Sequence, residues 1–172
     1  MTSSSPSSSW RDTLVASLEA RHHLYGDIMY VVRAAAKEIM ETHKSRQTEC
    51  FYEKMLACYL YERGIPYMTQ VDCFVQRGTT QILVGRLDME IAHNTILELK
   101  VAPRITPMDE AQLMKYVRAK QACGMKLEHA AVVCFRDDAS VEILEVDLKH
   151  DIRRKRKESP LSDAHHSFSK DA

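Results

Sequence analysis

The chain has 172 residues, 45% of them hydrophobic and 28% charged, with only five glycines and five prolines. That balance excludes collagen-like, low-complexity and wholly disordered chains and fits one domain with a substantial core. Basic and acidic residues number 24 each, which excludes a uniformly basic wrapper of nucleic acid, and no apolar run reaches the ~18 residues that cross a bilayer. Five cysteines, an odd number without CxxC spacing, predict reduced and mainly buried thiols in an intracellular compartment.

Residues 1–10 contain six serines and no apolar segment of the kind that directs secretion, and are expected to be disordered. A single domain is expected over 11–148, followed by a disordered polar tail over 149–172. That tail opens with Lys149–Lys157, six Lys/Arg against one Asp. The run fits a phosphate contact or a nuclear address as well as a solvated tail, so cytoplasmic and nuclear locations both stay open.

Within the domain, Leu14, Leu18, Ile28, Val32, Ala35, Ile39 and Met40 recur at helical spacing, with Gly26 as a break. A second helix is expected over about 47–63, with Phe51, Met55, Cys58 and Tyr59 inward and Gly64 at its end. Alternation then takes over. Val71, Cys73 and Val75 mark one strand; in the next, Leu83, Gly85, Leu87, Met89 and Ile91 are expected to share a face. His93-Asn94 reads as a tight turn into the strand Thr95–Val101. Thr106, Pro107 and Asp109 form the start signal of a helix running to about Cys123. His129–Phe135 and Val141–Asp147 close the pattern as strands. The order αα-βββ-α-ββ describes an α/β sandwich around a mixed sheet.

Chemistry concentrates on the central hairpin. Asp88 and Glu98 have nine residues between them, on strands joined by a short turn, and Lys100 shares the face of Glu98 because strands repeat every two residues. Read alone, that spacing also describes solvated charges on a surface strand. The flanking Ile96, Leu97, Leu99 and Val101 argue instead for a buried strand, where charges must pair or bind a cation. Two carboxylates sharing a site should repel, raising the proton affinity of one. On the helices, Glu49, Tyr52 and Glu53 fall on one face, as do Gln112 and Tyr116, with Lys120 a turn further on; taken singly, each also fits an ordinary packing or surface role. No GxGxxG, P-loop or GxSxG motif and no zinc-like His/Cys spacing occurs.

The segments TECFYEKMLACYLYERGIPY, GRLDMEIAHNTILELKV and TPMDEAQLMKYVRA resemble the GxxExxY proteins of the PD-(D/E)XK nuclease superfamily, over about residues 28–136 and most distinctively from Leu97 to Tyr116. The resemblance implies a restriction-endonuclease-like α/β core, a mixed central sheet flanked by helices. It implies that Asp88 is the central acid, that Glu98 and Lys100 are the (D/E)-x-K pair, that Glu49 and Tyr52 are the ExxY element, and that Gln112 is the helical glutamine after the core. Arg46 stands where the family has glycine; with Lys44 it is read as a phosphate contact.

On this reading Asp88, Glu98 and the Leu99 carbonyl hold Mg²⁺ or Mn²⁺. Asp88, Glu98, Lys100, Glu49 and Gln112 serve catalysis, and Tyr52, Tyr116, Arg46 and Lys120 touch substrate. The expected activity is hydrolysis of phosphodiesters in DNA, with RNA second, by a protein that engages nucleic acid and no membrane, as a monomer or a homodimer. The alternative is a silent nuclease-fold module for binding or assembly. Neutral net charge and Arg46 favour it, and the intact Asp88, Glu98 and Lys100 oppose it.

Overall fold

A computed structural model describes residues 27–43 and 46–148; the expectations for residues 1–26, Lys44 and the tail from Lys149 lie outside them. Helix α1 (Ile28–Thr42) starts where the Asp27 carboxylate accepts the Met29 and Tyr30 N–H groups, and buries Ile28, Val32, Ala35, Ile39 and Met40. Helix α2 (Glu49–Glu62) is capped by Thr48. Its turn-off is at Gly64, whose φ of +65° suits a glycine past a helix end. Strands β1 (Tyr67–Arg77), β2 (Thr80–Ile91) and β3 (Thr95–Val101) follow, then α3 (Pro107–Ala122), β4 (His129–Phe135) and β5 (Val141–Glu145). Thr106 and Asp109 form the expected capping box of α3.

The sheet runs β1-β2-β3-β4-β5. Only the β3–β4 pair is parallel, and α3 makes the crossover between its strands. Helices α1 and α2 pack on one face over Met89, Ile91, Leu97, Leu99, Val133 and Phe135. Helix α3 packs on the other over Cys73, Leu87, Ile96, Ala130 and Val132. The α/β architecture with a mixed, helix-flanked sheet is thus the one the sequence predicts. Among the described residues no helix is long and apolar enough to cross a membrane.

Four local readings are corrected. The buried ridge of α2 is Tyr52, Leu56 and Leu60, one residue on from the expected inward set, and Cys58 is exposed. Tyr52, expected at the substrate, is 1% exposed and stacks on Phe135 at 4.0 Å between centroids and 4° between planes, so it packs the core. The β2–β3 turn centres on Ala92 and His93, both with positive φ, with Asn94 N–H returned to Ile91 carbonyl. Of the cysteines, Cys73 and Cys134 are buried, but Cys50, Cys58 and Cys123 are exposed.

The alternation of β2 also slips. Leu87 packs under α3, whereas Met89 and Ile91 pack under α1 and α2, so they do not share a face. The slip falls at Asp88, beside the stretch of β1 where Gln70 leaves extended geometry with a φ of +53°. Asp88 therefore sits at a break in the pleat instead of in a regular row.

The Tyr52–Phe135 stack ties α2 to β4. Tyr52→Ala removes it and should cost about 3–5 kcal/mol, the range for truncating buried aromatics. Urea denaturation would show this as a lowered midpoint with an unchanged slope.

Candidate active site

The site is built on an unfinished ladder. Pairing of β2 with β3 runs from Ile91–Thr95 to Met89–Leu97 and goes no further, while β3 stays paired to β4 through Val101–Phe135. Beyond Leu97, the N–H groups on the β2 side of β3 need other acceptors. Asp88 Oδ2 accepts from Leu99 N–H at 2.7 Å, and Glu49 Oε1 accepts from Val101 N–H at 3.3 Å. N–H and C=O of one strand residue point to the same edge, so the Leu99 carbonyl faces this gap as well.

Glu98 is only 2% exposed. Its Oε1 accepts from Lys100 Nζ at 2.7 Å and from Gln112 Nε2 at 2.5 Å. Gln112 Nε2 also lies 3.2 Å from Tyr116 Oη. Both donors converge on one oxygen; Glu98 Oε2 is buried with no hydrogen-bond partner among the described residues. A buried carboxylate oxygen left unsatisfied is unfavourable and has a strong demand for a cation.

The electrostatics follow from burial. Glu98 is pushed up to about 7, mainly by loss of water, against the Lys100 hydrogen bond and with the Asp88 charge adding to the rise. The repulsion expected from the sequence is present, but desolvation is the larger cause. Asp88 is raised in the same way, against the Leu99 N–H bond and the Lys100 charge. For Lys100, burial alone would lower the value; the Glu98 hydrogen bond and the charges of Glu98, Glu49 and Asp88 outweigh it and raise it.

An open cleft of about 400 Å³ is lined by Glu49, Cys50, Glu53, Gln70, Asp88 and Leu99. Gln70 joins it unforeseen, and Glu53 joins it without having been given a site role. Glu53 was visible on the Glu49 face of α2 but fits a surface pair with Lys54 or Arg63 equally well; in the structure it accepts from Gln70 Nε2. Nothing in the sequence marks Gln70. Among the described residues no three His, Cys, Asp or Glu side chains form a metal cage of their own. The oxygen donors at the gap, the Asp88 and Glu49 carboxylates and the Leu99 carbonyl, suit an ion that keeps waters and takes the rest of its shell from substrate, the habit of Mg²⁺.

Three of the expected substrate contacts are placed differently. Tyr52 lies in the core, as described. Tyr116 is 3% exposed and supports Gln112. Lys120, half-buried, pairs at 2.7 Å with Glu90, itself 3% exposed, and so neutralises a buried charge. Arg46 remains at the surface in an ion pair with Asp137 at 3.3 Å.

A mixed sheet with an Asp on one strand and a Glu-x-Lys on the next, beside a helical Gln, defines a nuclease-type core. The chain belongs to the PD-(D/E)XK nuclease superfamily, whose family model matches residues 26–146. No curated protein matches it. The solved structure of SSO0001 is similar at 15% identity, over 87% of this chain and 85% of that one, with a TM-score of 0.38.

Two outcomes follow from this geometry. The native Glu98 holds its proton more tightly than an unfolded glutamate, so its contribution to stability is full below about pH 4.5 and is lost as pH rises through about 7. In metal-free buffer the melting temperature should fall across that window, and the fall should be reduced in Glu98→Gln. Separately, a Cβ on Gly85 would lie 2.7 Å from Tyr116 Oη, at a φ of +150° that disfavours side chains. Gly85→Ala should therefore cost about 1–3 kcal/mol by overpacking, read from the denaturation midpoint.

Proposed function

We propose that the protein hydrolyses phosphodiester bonds in nucleic acid, DNA first and RNA second, with Mg²⁺ or Mn²⁺ as cofactor. The observation that carries this reading is the buried, unpartnered Glu98 Oε2 beside the Asp88 carboxylate and the Lys100 ammonium. Asp88, Glu98 and the Leu99 carbonyl would hold the ion. When bound, a divalent cation polarises the scissile phosphate and makes a coordinated water acidic enough to attack.

The remaining roles belong to the side chains. Lys100 is a cation at neutral pH, because its neighbours raise its proton affinity. It therefore orients the attacking water and offsets charge growing on the phosphate; it is not the base. Gln112 positions Glu98, taking Oε1 and leaving Oε2 for the ion. Glu49, anchored on Val101 N–H, stands on the cleft side and acts through water. Arg46, which is exposed, supplies a phosphate contact by exchanging Asp137 for substrate.

The test is incubation of purified protein with labelled single- and double-stranded DNA and RNA in Mg²⁺, Mn²⁺ or EDTA. Cleavage should require the metal. Lys100→Ala should lose about 10²–10³-fold in rate, as for removal of one group that stabilises developing charge, and should keep metal binding, since an ammonium is no ligand. Asp88→Ala should lose both. Metal at a hundred times its dissociation constant should stabilise the wild type by about 2.7 kcal/mol. Equal cleavage by wild type and Lys100→Ala would overturn the assignment. No thermal shift with millimolar Mg²⁺ or Mn²⁺, and no cleavage, would establish the silent binding module instead.

A further inference from the structure

Four non-glycine residues among those described have positive φ: Gln70, Ala92, His93 and Ala139. Ala92 and His93 make the β2–β3 turn and Ala139 the β4–β5 turn, where such backbone is needed. Gln70 alone of these lies inside a strand, at a φ of +53°. No inserted residue explains it. Thr69–Met89 and Val71–Leu87 keep one register on either side, and the irregularity of this ladder falls later, between Cys73 and Phe74. Burial does not explain it either, because Gln70 is exposed.

The conformation directs the side chain into the cleft. There its Nε2 donates to Glu53 on α2 and lies 3.5 Å from Asp88 Oδ1, the long limit of a hydrogen bond. Leu99 N–H already holds the other Asp88 oxygen. Glycine would adopt this backbone without steric penalty; what glutamine adds is an amide with two hydrogens between two carboxylates. We infer that Gln70 is a positioning residue for Asp88: anchored on Glu53, it fixes the second oxygen of the Asp88 carboxylate by bridging the two acids with one amide. What Asp88 is positioned for rests on the nuclease reading; the unusual backbone and the Glu53 anchor do not.

The experiment compares wild type, Gln70→Gly, Glu53→Gln and the double variant by metal-free melting, Mn²⁺ calorimetry without nucleic acid, and cleavage of labelled DNA. Gln70→Gly should melt no lower than wild type yet bind Mn²⁺ about tenfold more weakly, the usual effect of losing a group that orients a ligand. Glu53→Gln should weaken binding in the same direction. The double variant should be no weaker than the worse single variant, because both act through one contact. Unchanged Mn²⁺ affinity in Gln70→Gly, or a lowered melting temperature without loss of affinity, would overturn the inference. A wild type that binds Mn²⁺ and cleaves nothing would overturn the nuclease reading and leave the role of Gln70 standing; one that binds no Mn²⁺ would overturn both.

Discussion

The parting of β2 from β3 after Met89–Leu97 is the constraint on which the site depends. A strand edge left unpaired in a protein interior carries N–H groups that must find acceptors. β3 meets that demand with carboxylates, Asp88 for Leu99 and Glu49 for Val101. Acids are thereby drawn to the edge by ordinary hydrogen-bond satisfaction, and the free carbonyl of Leu99 comes with them. An intact ladder would have satisfied β3 with backbone and left no place for charge.

The other half of the site answers a different demand. Glu98 lies among apolar side chains, and two donors approach the same oxygen from β3 and α3. That asymmetry leaves the group electrostatically incomplete, with one oxygen held by two donors and the other buried without a hydrogen-bond partner among the described residues. The buried Glu90–Lys120 pair makes the contrast. It too is an acid under α3, yet it is closed off by its lysine, and it belongs to packing.

Much of the fold was legible because its signals are local. The Thr106–Asp109 capping box, the glycines after α2 and α3, and the apolar run of β3 each state their structure within a few residues. Glu98 and Lys100 were legible for a related reason: a period of two sets them on one face, and one short turn brings Asp88 near, whereas Gln112 was added by the family resemblance. What was missed depends on backbone twist or distant packing. The slip at Asp88 is invisible to a period of two, which also hides the entry of Gln70 into the cleft. Tyr52 and Tyr116 fit a polar face by spacing alone; only the approach of Phe135 and of Gly85 makes them buried. Glu53 looked like a surface charge because its partner is 17 residues away on a strand.

The chain separations within the site also divide its assembly in time. Asp88 and the Leu99 N–H it accepts are 11 residues apart across the tight Ala92–His93 turn. A hairpin of that kind closes in about 1–10 μs. Glu49 reaches Val101 across 52 residues and must wait for α2 to dock. The parallel β3–β4 pairing likewise waits for the α3 crossover to be in place. By chain separation alone, the Asp88 contact with β3 is local and the Glu49 contact is long-range, so the second carries the larger closure cost. Glu98 lies on the same hairpin as Asp88, so of the three charges only that of Glu49 is brought in by the packing of α2.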